Sequence, residues 1–203
     1  MGYFPFYIDI ENKKCVVVGG GTVALRKVEK LLPFKPQITV VAPEICNELS
    51  TMAEVEIVNR EFRNADIDNA FMVISATDDN QLNANIFNLC KSKNIFINTV
   101  DDKEKCGFIF PALVKKDNVT IGISTSGKSP LYSRFLREKI ENSIDNNSDK
   151  IIDVLSNYRL LIKTEIKSEE KRKKAFEHIL KICLENIENV SEEKILKIIE
   201  DFK

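Results

Sequence analysis

From Lys14 to about residue 100, short apolar runs alternate with stretches whose apolar residues recur every three or four positions. Cys15–Val18 is an apolar run that ends in Gly19-Gly20-Gly21, and the stretch after it carries Val23, Leu25, Val28, Leu31 and Leu32 at helical spacing. Pro33 ends that helix and Pro36 reinforces the break, because proline lacks a donor and clashes with the preceding turn. Gln37–Val41 reads as a β-branched strand, and Ala42-Pro43-Glu44 leads into a helix around Ile45–Met52. Glu54–Val58 alternates apolar and polar residues, as a half-buried strand does. Phe71–Ser75 is a continuous apolar run, the mark of a central parallel strand. A helix then places Leu82, Ile86, Leu89 and Cys90 on one face, and Ile95–Asn98 is the next strand. Tyr3–Ile10, interrupted by Pro5, reads as an edge strand or a lead-in. The alternation predicts a parallel sheet covered by helices.

The pattern changes after Asp101. Asp101–Lys105 is a polar loop, and Phe108–Val114 and Val119–Ser124 read as two strands joined by a hairpin turn at Lys115-Lys116-Asp117-Asn118. A loop of small residues, Ser124-Thr125-Ser126-Gly127-Lys128-Ser129-Pro130, precedes a helix with Ser129 as N-cap and Pro130 in its first turn. From Asn146 onward the chain reads as helix, in segments over Asp149–Ile162, Ser168–Glu185 and Ser191–Phe202; Ser168 and Ser191 are their N-caps, with acids in the first turn. The fold class is therefore α/β. A Rossmann-type parallel-sheet domain over residues 1–112 is followed by a small α+β segment, 113–145, and a helical C-terminal domain, 146–203.

Composition narrows the function classes. The 203 residues are 43% hydrophobic and 30% charged, ordinary for a globular chain. A formal net charge of −1 gives no basic field for nucleic acid or a membrane surface. No apolar run reaches the roughly 18 residues of a membrane span, and the first residues lack the basic and apolar regions of a signal peptide. Cys15, Cys46, Cys90, Cys106 and Cys183 are scattered and odd in number, which predicts free thiols in a reducing cytoplasm. With His178 as the single histidine, a multi-histidine metal site or a Ser-His-Asp system is not expected. No metal-ligand set is predicted.

The glycine turn carries the first chemical signal. Gly19, Gly21 and Ala24 fit the spacing G-x-G-x-x-G/A of a dinucleotide-binding turn, with a strand before it and a helix after it. Gly19 allows the tight turn, Gly21 lets the backbone approach a pyrophosphate, and Ala24 permits close helix–strand packing. The helix N-terminus at Thr22 and Val23 would face the phosphates. Ligands of such sheets collect at the carboxyl ends of the strands, which here are Gly19–Val23, Ala42–Glu44, Ala76–Asp79 (with Thr77 and Asp78) and Asn98–Asp101. Glu44 stands near the usual ribose-binding acid, yet it equally suits the first turn of a helix. No arginine nearby suits a 2′-phosphate, which favours NAD over NADP.

Among the carboxylates near this crest, Asp79 reads as a helix-start acid and Asp102 as a loop acid. Asp101 directly follows a strand end and is the candidate general base. Cys106 has no companion ligands and reads as a buried thiol. The Ser124–Ser129 loop offers hydroxyls, backbone N–H groups and Lys128, with Arg134 and Arg137 on the following helix, a set that suits a carboxylate-bearing ligand. The Lys171–Lys174 run reads as a solvated helix face.

Seven motifs in order carry a family resemblance: Phe4-Pro5-Phe6-Tyr7-Ile8-Asp9; Val16–Lys27; Val40–Glu44; Ser75–Asp79; Asn98-Thr99-Val100-Asp101; Phe108–Ala112; and Ile123–Pro130. Over about residues 4–140 the chain resembles the precorrin-2 dehydrogenase / sirohydrochlorin ferrochelatase family, the dehydrogenase module of siroheme synthases. The resemblance implies a homodimer that oxidises precorrin-2, a tetrapyrrole with eight carboxylates, to sirohydrochlorin with NAD. In some members ferrous iron is then inserted to give siroheme. It implies cofactor contacts at Thr22, Val23, Pro43 and Glu44, and a catalytic aspartate at Asp101. A substrate-binding serine of some members falls at Thr125, between Ser124 and Ser126. A non-catalytic NAD-sensing module would explain Gly19–Ala24 equally well, but not Asn98–Asp101 or the serine-rich loop. A dehydrogenase for another small substrate would commonly show a Tyr-x-x-x-Lys or histidine-centred acid/base set, which this chain lacks.

Overall fold

The structure, a computed structural model, describes residues 3–203. The chain divides into two compact units, the first running to Pro111 and the second spanning Ala112–Lys203. The first is built as β1 (Lys14–Val18), α1 (Thr22–Leu31), β2 (Gln37–Ala42), α2 (Asn47–Ser50), β3 (Val55–Asn59), β4 (Met72–Ser75), α3 (Asn80–Ser92) and β5 (Phe96–Thr99).

Its five strands are all parallel, in the order β3-β2-β1-β4-β5. The chain runs outward from β1 to β3 and then crosses to the other side of β1 to begin β4. Strand order therefore reverses between β1 and β4, and a crevice opens there above the strand ends. The apolar runs explain why β1 is central. Cys15 and Val17 point into one core with Ala24, Val28 and Leu31 of α1; Val16 and Val18 point into another with Ile86 and Cys90 of α3. These four side chains are buried, and each of the three valines contributes about 1.5–3 kcal/mol. Burial also pushes the Cys15 thiol up to about 12 and the Cys90 thiol to about 11, so both sit as small neutral core residues.

The second unit holds an antiparallel hairpin, β6 (Ala112–Lys116) and β7 (Val119–Ile123), followed by α4 (Pro130–Ser143), α5 (Ser148–Asn157), α6 (Arg159–Glu165), α7 (Glu169–Asn186) and α8 (Glu192–Asp201). The last four helices enclose their own core, with Ile162, Ile166, Ala175, Ile179 and Ile195 at its centre. Ser129, Ser168 and Ser191 each accept a backbone N–H three residues on, from Tyr132, Lys171 and Lys194. The Lys171–Lys174 run is a solvated face as expected, with Lys174 paired to Glu170 one turn back.

Four expected elements come out differently. Residues 3–10 form no strand, since Pro5 breaks the donor pattern and only Ile10 is buried. The helix expected over 45–52 shrinks to the single turn Asn47–Ser50, because the Cys46 N–H is drawn to the Gly20 carbonyl at 2.8 Å. Phe108–Pro111 does not extend the hairpin. Gly107 N–H bonds Ile97 O at 2.8 Å and Phe108 O accepts from the Asn98 side chain, which tie this stretch beside β5. The helix expected over 149–162 is divided at Tyr158, which ends α5 and precedes α6 with φ −89° and ψ −2°, still right-handed helical, and whose ring packs on the helical core.

Candidate functional site

At the carboxyl ends of β1, β2 and β4 lies a cleft of about 910 Å³. The three glycines build its floor, each under a different constraint. Gly19 has φ +117°, and a Cβ on it would lie 2.2 Å from the Ala76 carbonyl oxygen. Gly20 has no room either: a Cβ there would meet Glu44 O at 2.1 Å. At Gly21 a Cβ would meet nothing within 4 Å. The first two glycines thus close the turn against its neighbours, while the third opens it onto the cleft. Gly21 is also the N-cap of α1 and supplies no side-chain cap, so the first N–H groups of the helix face the cleft without a protein acceptor from that residue. Open space above a positively polarised helix end is what a pyrophosphate requires, and a dinucleotide fits this cradle.

The other walls come from the β2 and β4 loops. Ala42 is buried, and Pro43 and Glu44 are exposed. Asn59, at the end of β3, donates its side-chain amide to Pro43 O at 3.0 Å and fixes the loop. On the opposite side, Asn83 of α3 gathers the strand end. Its Oδ1 accepts from Ser75 Oγ at 2.6 Å and Thr77 Oγ1 at 2.7 Å, and its Nδ2 donates to Thr77 O at 2.9 Å. Asp79, exposed like Asp78, caps α3 by accepting from the N–H groups of Gln81 and Leu82, which leaves Asp78 as the acid of this wall that is not a helix cap. Gly19, Gly21, Thr22, Val23, Ala42, Pro43, Glu44, Thr77 and Asp78, the residues expected to bind a cofactor, all line this one cleft.

The lining also includes residues that sequence reasoning missed: Gly20, Ile45, Cys46, Glu61, Phe62 and Leu82. The third glycine in a row was the one available signal, for Gly20. Phe62 and Glu61 arrive from the loop after β3, which no motif marks. The charged lining residues are Glu44, Glu61, Asp78 and Asp79, with no lysine or arginine among the described residues.

Asp101 does not line the cleft. It sits just beyond β5 on an exposed turn, with φ +61°. The turn closes from Asp102 N–H to Thr99 O at 3.4 Å, and Val100 N–H bonds Ser75 O at 2.9 Å, which fastens this turn to the end of β4. A left-handed non-glycine residue costs about 1 kcal/mol or more, and such strain concentrates at functional positions. Asp102 is structural: it accepts from the N–H groups of Glu104 and Lys105, and the Lys105 ammonium holds its carboxyl below the usual carboxylate range. Lys27 of α1 lies near this turn, half-buried, with Nζ 4.2 Å from the centre of the Phe110 ring. Burial and the charge of Lys30 pull its pKa down, while Cys106 and Asp101 push it back up.

In the second unit, the Ser124–Ser129 loop is organised around Thr125. Its hydroxyl donates to Ser129 O at 3.0 Å, accepts Ser129 N–H at 3.2 Å and bonds Ser133 Oγ at 2.9 Å. That hydroxyl is fully engaged inside the loop. Ser124 accepts from Ser126 N–H, and Ser126 and Lys128 are exposed. Arg134 donates to Glu138 at 3.0 Å, and Arg137 pairs with Glu141 and Glu138, so both cations already have partners along α4. Among the described residues no group of three or more His, Cys, Asp and Glu is placed to hold a metal ion, and no helix is long and apolar enough to cross a membrane.

Two family models cover most of this architecture. One, described as "Putative NAD(P)-binding", matches residues 6–112, and the other, "Sirohaem biosynthesis protein central", matches residues 116–143. The chain belongs to this NAD(P)-binding family. Siroheme synthases are similar to it along nearly its whole length: that of Thioalkalivibrio sulfidiphilus (strain HL-EbGR7) is 38% identical over 89% of the chain and 37% of the relative. That of Buchnera aphidicola subsp. Acyrthosiphon pisum (strain APS) is 34% identical over 98% of the chain and 43% of the relative. The chain thus spans about two-fifths of the length of these relatives. The solved structure of "SirC, precorrin-2 dehydrogenase" has the same fold, with a TM-score of 0.77 over 98% of both chains at 22% identity. The resemblance read from the seven motifs and the α/β class with its helical C-terminal part both hold.

Proposed function

We propose that this member of the NAD(P)-binding family is a dehydrogenase that oxidises precorrin-2 to sirohydrochlorin in siroheme synthesis, with NAD as its acceptor. One observation carries the reading most: the open floor at Gly21 under the α1 N-terminus, at the reversal point of a parallel sheet, in a chain of which 89% is similar to a siroheme synthase. NAD rather than NADP is supported by the lining. Glu44, Glu61, Asp78 and Asp79 would repel a 2′-phosphate, and no described lining residue is a cation. Glu44 is the acid best suited to the ribose hydroxyls.

When bound, the nicotinamide supplies the two-electron acceptor, so the substrate loses a hydride and a proton in balance. The protein's part is binding and proton transfer. The N–H groups at Thr22 and Val23 hold the pyrophosphate, and Asp101 accepts the proton. Ser124, Ser126, Lys128 and Arg134 bind substrate carboxylates, with Thr125 keeping their loop in shape. A homodimer is supported by α4, where Leu131, Tyr132 and Phe135 are exposed large apolar residues.

The test is an absorbance assay with precorrin-2 and NAD, followed by addition of ferrous iron to score chelation as a second step. Wild-type protein is expected to form sirohydrochlorin. Asp101→Ala should lose nearly all of that rate and keep NAD affinity; full turnover in this variant would remove Asp101 from the mechanism. NAD binding without any oxidation by the wild type would instead support a nucleotide-sensing module.

A further inference from the structure

Asp101 belongs to no helix or strand. Thr99 is the last residue of β5, a 3₁₀ turn begins at Lys103, and Asp101 lies between them in the left-handed region. The backbone bond that closes this turn, Asp102 N–H to Thr99 O, is long at 3.4 Å. A second donor reaches the same place. The Cys106 sulfur lies 3.2 Å from Thr99 O and 3.1 Å from Asp102 O. Its one hydrogen is shared between the carbonyl two residues before Asp101 and the carbonyl one residue after it. Asp102 O accepts from this thiol.

The sulfur is itself held in place. Cys106 forms an isolated antiparallel bridge with Asn98 on β5, and the buried Asn98 amide donates to Sγ at 3.4 Å and to Phe108 O at 3.0 Å. Burial, the largest influence, pushes the Cys106 thiol up, so it carries its hydrogen at neutral pH and acts as a donor. Nothing here suits a thiolate nucleophile.

We propose that Cys106 is a positioning residue for Asp101: its thiol clamps the carbonyls on both sides of the aspartate and holds it in the left-handed conformation from which its carboxylate meets the substrate. The proposal rests on the reading of Asp101 as proton acceptor. Without the clamp, Asp102 O loses that partner and the strained residue between the two carbonyls is free to relax to an ordinary φ. The carboxylate then moves relative to the reacting atoms. The cofactor cleft does not include Cys106, so nucleotide affinity is unaffected.

The experiment compares wild type, Cys106→Ala and Cys106→Ser in the full chain, with steady-state oxidation of precorrin-2 and hydrogen exchange at the Asp102 amide as independent readouts. Cys106→Ala should lower kcat about 10- to 100-fold with KM for NAD unchanged, and should speed exchange at Asp102. Cys106→Ser keeps an O–H donor at the same site and should restore most of kcat and of the protection. Wild-type kcat in Cys106→Ala, a serine variant as slow as alanine, or a lowered melting temperature with kcat intact would each overturn the proposal. If wild-type protein fails to oxidise precorrin-2, the dehydrogenase reading falls by itself. The exchange measurement then still decides the clamp, since unchanged Asp102 protection in Cys106→Ala would overturn it.

Discussion

Gly19 and Ala76 approach so closely that the space a Cβ would need on the first is taken by the carbonyl oxygen of the second, 2.2 Å away. This contact brings the ends of β1 and β4 together and sets the floor of the cleft. Two glycines in one turn consequently respond in opposite ways to the same change. Gly19→Ala meets both the carbonyl and a φ of +117°, and should destabilise the fold by about 3 kcal/mol. Gly21→Ala should stay within about 0.5 kcal/mol of wild type but weaken NAD about tenfold, because its methyl occupies the space left for the pyrophosphate. Thermal unfolding and nucleotide titration of the two variants separate these effects; a Gly19→Ala protein as stable as wild type would contradict the geometry.

Nucleotide preference is set by charge. Glu44→Arg should bring NADP binding up about tenfold or more while NAD binding falls. Titration of both nucleotides against the variant checks this, and an unchanged NADP affinity would mean that the ribose lies away from the β2 loop.

The β4 wall depends on one buried amide. Asn83→Leu removes the acceptor shared by Ser75 and Thr77 and leaves the fully buried Ser75 hydroxyl without its partner. A loss of about 2–3 kcal/mol is expected, together with weaker NAD binding, because Thr77 and Asp78 lose their anchor. Denaturant unfolding with parallel nucleotide titration reads both.

Acid sensitivity of the first unit should trace partly to Asp66. The Arg60 guanidinium, bonded to both carboxylate oxygens at 2.6 and 2.9 Å, holds the Asp66 carboxyl below the usual carboxylate range. A carboxyl depressed on folding stabilises the protein above its unfolded pKa, and that contribution is lost as pH falls through the folded value. The stability gap between wild type and Asp66→Asn, about 1 kcal/mol near neutrality with allowance for the half-exposed arginine, should therefore close in strong acid. A gap that persists well below the carboxylate range would assign it to packing instead.

The parts of this molecule that depend on neighbours in the chain could be read from the sequence. The β1 run, the glycine turn and α1 follow from side-chain size and period alone, as do the caps at Ser129, Ser168 and Ser191. What escaped depends on contacts between distant segments. Gly20 looks redundant until Glu44 O is seen against it. Phe108–Pro111 has the composition of a strand, yet the Asn98 side chain takes the Phe108 carbonyl and Ile97 O the N–H of Gly107 just before it. Phe62 enters the cleft from a loop with no motif. Thr125 shows a hydroxyl in sequence but gives no hint that Ser129 and Ser133 use it up. For Asp101, its place after a strand end was legible, whereas its left-handed backbone and the thiol beside it were not.

That backbone conformation has an evolutionary side. The third position of the turn from Thr99 to Asp102 is one that glycine or asparagine fills with less strain than aspartate. A population of variants screened for heat resistance alone should thus drift toward Asp101→Gly or Asp101→Asn, gaining up to about 1 kcal/mol while surrendering the proposed proton acceptor. Finding aspartate retained there under a joint screen for growth and stability, and shed under stability by itself, would expose this turn as a place where durability has been exchanged for chemistry.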